Sequence, residues 1–341
     1  MTAFVNQVYE PVYVNFVFSF IGLLVSSWGI SYLLKFTYGK VSMEILSFYI
    51  VLAMHIQFAL SLTMFFQPSF QELIYSYIEV GDTSLNSIEA TNGFRLHGVG
   101  ANFFILGVIN AAIILLMTAV VKQSHCKSLK IFYALSIPYF LLVGMMMART
   151  TLLTVPFSLF CYFYGVKNIF RYVLIVTMKF LLIVGIVFLL CYGPIMSFVE
   201  ENEELLRFGF EHFYNFFEGN GFSSESTSQL ADMLVLPDNF STWLIGDARI
   251  TSGDGVNYYM YTDIGYSRAL FYFGMLGLMA FFGAYLSMVI LSSRKCKSYT
   301  VLYFCMFFLF ALLFYKGMCE LMFLFCLFAF VDKDFSVKKT Y

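Results

Sequence analysis

Apolar residues run along this chain in blocks of roughly twenty, with polar residues gathered in the gaps between them. Clear runs cover 13–34, 43–66, 99–121, 172–193 and 264–291, each close to the ~20 residues a helix needs to cross a hydrocarbon core. Two longer runs exceed a single crossing. Residues 131–166 hold one charge, Arg149, between Lys130 and Lys167. They read as a helical hairpin with Ala148, Arg149 and Thr150 at its tip. The run 298–331 reads the same way, turning near Lys316 to Glu320. The pattern therefore predicts an all-α polytopic membrane protein of about nine transmembrane helices, ten being the other count it admits. Its parts are an N-terminal bundle at 1–193 with a loop at 67–98, a long polar loop at 194–263, and C-terminal helices with a short tail at 264–341.

The long loop divides in two. Residues 199–217 mix Leu205, Leu206, Phe208, Phe213, Phe216 and Phe217 with five carboxylates, the pattern of an amphipathic helix lying at an interface. Residues 219–263 carry turn signals at Gly219, Gly221, Pro237 and Gly253 to Gly255, and read as an irregular, functional loop.

Composition agrees with the pattern. Sixty per cent of residues are hydrophobic and 12% charged, against about 25% charged in soluble domains. A net charge of −1 without a clustered basic face excludes a nucleic-acid partner. Met1 to Val12 hold no Lys or Arg, so the charged start of a cleaved signal peptide is missing and the first span is expected to stay. The seven cysteines, at 126, 161, 191, 296, 305, 319 and 326, show neither a CxxC pair nor metal-ligand spacing. Neither a structural metal nor a cofactor is expected.

Charge adds direction. Lys35 and Lys40, then Lys122, Lys127 and Lys130, then Lys167 and Arg171, then Arg294, Lys295 and Lys297, and finally the tail lysines alternate onto one side. That side is expected to be cytoplasmic, leaving the N-terminus, 67–98 and 194–263 outside. Eleven of thirteen lysines then lie inside, yet five of seven arginines, Arg95, Arg149, Arg207, Arg249 and Arg268, lie outside. Guanidinium grips phosphate bidentately, whereas ammonium acts as a point charge. An anionic ligand follows, and a lipid pyrophosphate is the one expected. Arg207 sits among acids and reads as a salt-bridge partner and Lys179 as a snorkelling side chain, while His55 has two readings, a functional intramembrane group or a neutral histidine bonded to a neighbouring helix.

The densest polar constellation runs from Trp243 through Asp247, Arg249, Asp254 and Asn257 to Asp263, Tyr266 and Arg268, ending at a span boundary. Asp263 has two readings: a carboxylate that orients or deprotonates a hydroxyl, or the cap of the following helix. Tyr258, Tyr259, Tyr261 and Tyr266 are candidate sugar-stacking rings.

These residues also carry a resemblance. The segment W-L-I-G-D, Trp243 to Asp247, followed by Y-T-D-I-G-Y-S-R-A-L-F-Y-F-G-M-L-G, Tyr261 to Gly277, resembles the late motif of Wzy-type O-antigen and capsule repeat-unit polymerases. There a Gly-containing loop leads to an Asp-x-Gly-Tyr element and a span with spaced glycines. N-G-F-R-L-H-G-V-G-A-N-F, Asn92 to Phe103, and A-R-T-T-L-L, Ala148 to Leu153, are similar to two earlier pieces of that family. The resemblance implies a polyprenol-dependent membrane glycosyltransferase. Such an enzyme moves a glycan from undecaprenyl pyrophosphate to a hydroxyl of the next lipid-linked repeat unit, at the periplasmic face of the bacterial inner membrane. Donor and acceptor are both undecaprenyl-pyrophosphate-linked glycans, and a chain-length regulator is a further partner. Asp263, Arg268 and His97 are the expected catalytic residues. Arg95, Arg149, Arg249, Tyr261 and Tyr266 are expected to bind pyrophosphate and sugar. The O-antigen ligases carry His where Asp263 stands, which favours a polymerase. A flippase for lipid-linked sugars is the main competitor; internal repeats and midplane charges would mark it, and neither is visible. A non-catalytic chain-length subunit would have few spans and a large soluble domain.

Overall fold

The computed structural model describes residues 10, 12–78, 88, 95–100, 103–166, 192–219, 230, 232–252 and 257–333. Of the sequence expectations, the run 172–193 up to Cys191, with Lys167, Arg171, Lys179, Asn92, Asp254 and the tail lysines Lys338 and Lys339, falls outside them. The described chain is helical, and six of its helices are long and apolar enough to cross a membrane.

The first two, α1 (Val12–Tyr38) and α2 (Met43–Phe66), are separated by Gly39, whose φ of 73° suits a residue without Cβ. Ser42 caps α2 by accepting from the Ile45 N–H at 3.3 Å. At the far end Pro68 opens the short α3 (Pro68–Tyr77), where its missing N–H does no harm. Next comes α4 (Phe103–Gln123), the buried centre of the bundle. Residues 111–117 of α4 are almost wholly covered, packed among α2 and the elements that follow.

Both expected hairpins form, with shorter helices as their return limbs. After α5 (Lys127–Met147) a 3-10 turn at Arg149–Leu153 leads into α6 (Thr154–Phe163). After α12 (Thr300–Lys316) the chain turns into α13 (Met322–Ala329). At 1.5 Å per residue the limbs rise only about 15 and 12 Å. Each ends beside a lysine from another helix, and Gly165 takes φ 77° just past α6. Lys122 donates to the carbonyls of Cys161 and Tyr164 at 2.8 and 2.7 Å, and Lys295 donates to Ala329 at 2.7 Å. Cations thus satisfy carbonyls that the ends of α6 and α13 leave open.

The expected single amphipathic helix at 199–217 is instead three short ones, α7 (Tyr192–Glu201), α8 (Glu203–Gly209) and α9 (Glu211–Phe217). Asn202 and Phe210 leave helical geometry between them, at ψ 34° and 20°. These breaks let α8 turn onto the end of α5, burying Leu205.

The motif W-L-I-G-D has a structural explanation. It ends the short helix α10 (Phe240–Ile245), which docks on α11 (Gly265–Lys295) at a break in α11. Gly274 adopts φ 67° there and Gly246 φ 70°. A Cβ on Gly274 would lie 2.4 Å from the Leu244 and Ile245 backbone. The break frees the carbonyls of Phe271 and Tyr272, which accept from the N–H groups of Asp247 and Ala248. Two glycines therefore let a loop backbone complete a helix backbone, as buried polar groups require.

Candidate functional site

Where the bundle meets the α5–α6 turn and the start of α11, a cavity of about 300 Å³ opens, lined by Arg95, Arg149, Asp263, Arg268 and Lys316 together with Phe104, Ile105, Phe208, Tyr258, Gly317 and Met318. Each charged group is placed by a separate piece of local structure.

Arg149 sits in the 3-10 turn, which α4 pins from beneath. Asn110 donates to the Phe140 carbonyl at 2.9 Å, and Thr154 donates to the Ala111 carbonyl at 2.8 Å. Thr150, Thr151 and Thr154 are buried, so the turn has little freedom and its arginine is directed. Glu211 of α9 pairs with the Arg149 guanidinium.

Arg95 comes from the segment before α4. Its Nε donates to the Met147 carbonyl at 2.8 Å, and the next N–H, of Leu96, donates to Met146 at 3.2 Å. The segment thereby ties itself to the end of α5. Both guanidiniums face the ring of Phe208, at 5.1 Å for Arg95 and 4.6 Å for Arg149, so α8 covers the pair with an aromatic face. Burial, and then the neighbouring Arg149, pull the Arg95 pKa down to about 10.

Asp263 and Arg268 arrive through Gly265. A Cβ there would strike the Phe314 carbonyl and Gly317, and only its absence lets α11 begin against the end of α12. That contact brings Lys316 into the same cavity. Arg268 Nη1 lies 3.3 Å from Asp263 Oδ1, and its guanidinium stacks 3.5 Å from the Tyr258 ring centroid. Its Nε is buried with no acceptor among the described residues. Asp263 does not cap α11; Ile264 occupies that position, and no side chain caps the helix. Burial raises the Asp263 pKa, while Arg268 and then Lys316 oppose the rise. The result is a carboxylate readier than usual to take a proton.

The structure thus brings together four of the eight residues singled out from sequence, Arg95, Arg149, Asp263 and Arg268, and puts the other four elsewhere. His97 is buried behind the cavity wall, and burial followed by Arg95 lowers its pKa to about 4. Arg249 is exposed beside Tyr259, its guanidinium 5.9 Å from that ring. Tyr266 donates to the Ala311 carbonyl at 2.6 Å and stacks on Phe282, a packing role. Tyr261 is exposed on a turn where Met260 and Tyr261 take φ of 58° and 53°. Tyr258 is the loop tyrosine at the cavity.

Geometry bears on two other readings. Arg207 pairs with Glu218 at 3.2 Å on the surface. His55 bonds the Val51 carbonyl at 2.9 Å and Ser136 of α5 at 3.3 Å, among Phe132, Tyr139 and Phe140, a helix-packing role. Among the described residues no three His, Cys, Asp or Glu side chains converge to hold a metal.

Sequence reasoning left Lys316 out of the site, although its position was a signal: a single lysine ending a 17-residue apolar helix on the side where lysines are scarce. Phe208 and Glu211 were assigned to an interfacial helix. Only the tertiary fold turns them onto the arginines.

As a chemical object the cavity is cationic, with the Asp263 carboxylate in its lining and the Glu211 carboxylate on Arg149. Three planar guanidiniums, each on an aromatic face, and an ammonium line one space, whose volume is at the lower end of the ordinary range for small-molecule sites. Comparison of the chain with family models, with curated proteins and with solved structures gives no match.

Proposed function

We propose that the protein is a polyprenyl-pyrophosphate-dependent glycosyltransferase of the Wzy polymerase type that its motifs resemble. It joins lipid-linked oligosaccharide repeat units into O-antigen or capsular polysaccharide. Its site faces the periplasm from a bacterial inner membrane crossed about nine times, with α6 and α13 as hairpin return limbs. The observation that carries this reading is the convergence of Arg95, Arg149, Arg268 and Lys316 on one cavity that also holds Asp263.

The chemistry asks for those groups. The acceptor hydroxyl oxygen forms a bond to the anomeric carbon of the donor glycan as that carbon's bond to the pyrophosphate oxygen breaks. The pyrophosphate leaves with the electron pair, and its growing charge falls on guanidiniums already fixed in place. Asp263 takes the proton of the attacking hydroxyl, and Arg268 holds the Asp263 carboxylate toward the reacting centre. Tyr258, stacked against Arg268 and partly exposed, offers a ring face to a sugar.

The test is polymer formation in proteoliposomes supplied with lipid-linked repeat units and read as a ladder on a gel. Changing Arg95, Arg149 or Arg268 to Lys keeps charge and loses the planar fork, so each variant should lose at least about tenfold in chain extension, the ~1.4 kcal/mol of one charge-assisted contact. Wild-type ladders from all three would refute the reading. A reporter fused after residue 225 should read as periplasmic, and a cytoplasmic signal would invert the orientation.

A further inference from the structure

Beside the cationic cavity runs a larger hollow of about 500 Å³, a groove walled by α1, α2, α4 and α13. It is apolar along α2 from Leu46 through Met54, and along α4 from Ile105 to Ile113. The two hollows share a wall. Ile105 lines both, and Lys316, Gly317 and Met318 face the cavity, while Glu320 and Leu321, just beyond them in the chain, face the groove. Two polar atoms of the lining, Gln57 Nε2 and Glu320 Oε2, are buried with no hydrogen-bond partner among the described residues. Gln57 is the last α2 residue to line the groove. A cationic chamber opening beside an apolar trough has the complementary shape of an amphiphile with an anionic head and a hydrocarbon chain.

Resting on the reading of the cavity as a diphosphate site, we infer that the groove seats the head-proximal stretch of the same lipid's hydrocarbon chain, with Gln57 and Glu320 meeting the oxygens where chain joins phosphate. From Leu46 to Gln57 an α-helix rises roughly 16 Å, about half of a ~30 Å hydrocarbon core. The groove therefore holds the first part of a long chain and leaves the remainder to the bilayer. Lipid is as apolar as the groove wall, so moving a chain between them gains little. The groove contributes register instead: a chain seated there sets the diphosphate at the arginines. Gln57 donates its amide N–H to the oxygen bridging chain and phosphorus. Burial pushes the Glu320 carboxyl above the ordinary carboxylate range, and in its protonated form it donates to a second oxygen without repelling the head.

The experiment uses the full chain in nanodiscs and a polyprenyl diphosphate with a photoreactive diazirine in the first half of its chain. Adducts are expected on the α2, α4 and α13 residues that line the groove; adducts on other faces, or spread over all of them, overturn the inference. Ala53→Trp, with Ile109→Trp as a second variant should the first fail to fold, fills the groove. Each should lower adduct yield at least tenfold while inorganic pyrophosphate still binds as in the unaltered protein; unchanged yield overturns the inference. Gln57→Leu should raise the KM for lipid several-fold, and an unchanged KM would remove Gln57 from the contact. Inorganic pyrophosphate separates the two readings. If it binds and is lost in Arg268→Gln, yet adducts form elsewhere, the groove assignment alone fails. If it does not bind at all, the cavity reading fails first.

Discussion

Replacing Arg95 by Met separates an anion site from ordinary structural arginines, because the two make opposite demands on stability. The Arg95 pKa lies at about 10 against an ordinary 12.5. At about 1.4 kcal/mol per pKa unit, holding its charge at neutral pH costs about 3 kcal/mol in the folded protein. Against that stand a charge-assisted hydrogen bond to Met147 and a ring contact with Phe208, together contributing about 2–3 kcal/mol. The two sides nearly cancel, so Arg95→Met should leave the stability of the unliganded protein within about 1 kcal/mol. Binding of an anion should behave differently. The unliganded cluster bears mutual repulsion that a diphosphate relieves, and loss of one guanidinium contact removes about 1.5–3 kcal/mol, a weakening of about 10- to 150-fold. Thermal unfolding of the detergent-solubilised protein, with and without sodium pyrophosphate, reads both quantities. Pyrophosphate should raise the midpoint of the unaltered protein and do little for the variant. An unliganded midpoint that drops by more than about 2 kcal/mol equivalent, together with an unchanged response to pyrophosphate, would show Arg95 to be a structural tie and refute the reasoning.

Burial raises the folded pKa of Asp263, so ionisation is opposed in the fold and its contribution to stability falls as pH rises through and beyond the usual value of 3.8. Asp263→Asn should therefore fold at neutral pH with stability no lower than that of the unaltered protein yet form no long polymer, and in the unaltered protein the acid limb of the pH–rate profile should lie above the ordinary aspartate value. Normal chains from the Asn variant would remove Asp263 from the chemistry. His97, lowered from 6.5 to about 4, favours its neutral form in the fold. It should contribute up to about 3 kcal/mol of stability that is lost as pH falls from 6.5 through 4. His97→Phe should flatten that slope in pH-dependent melting, whatever its effect at pH 7. Gly274→Ala places a Cβ 2.4 Å from backbone at a positive φ and should destabilise by at least about 3 kcal/mol, measured as loss of folded protein after solubilisation, although Gly274 lies away from the cavity.

The helical architecture was legible because lipid-length apolar blocks admit few alternatives. Limb length was not: Lys122 and Lys295 meet the carbonyls at the ends of α6 and α13, a tertiary event, and the one local mark at α6, Gly165 with φ 77° just past its end, lies inside a longer apolar run. The site divides along the same line. Arg95, Arg149, Asp263 and Arg268 could be found because each lies at a boundary where a charge must be explained. Arg249 and Tyr261 sit in the same rich loop, yet the Gly246–Gly274 dock and the left-handed turn at Met260 aim them away, and no property of the residues themselves distinguishes them from Tyr258. Lys316 shows what the distribution of cations already held. If lysine is set apart by its scarcity on the arginine side, then a lysine that appears there needs a reason, and the proposed anion supplies one. Followed consistently, the asymmetry that selected the arginines selects Lys316 as well, and Gly265 supplies the close approach that joins it to them.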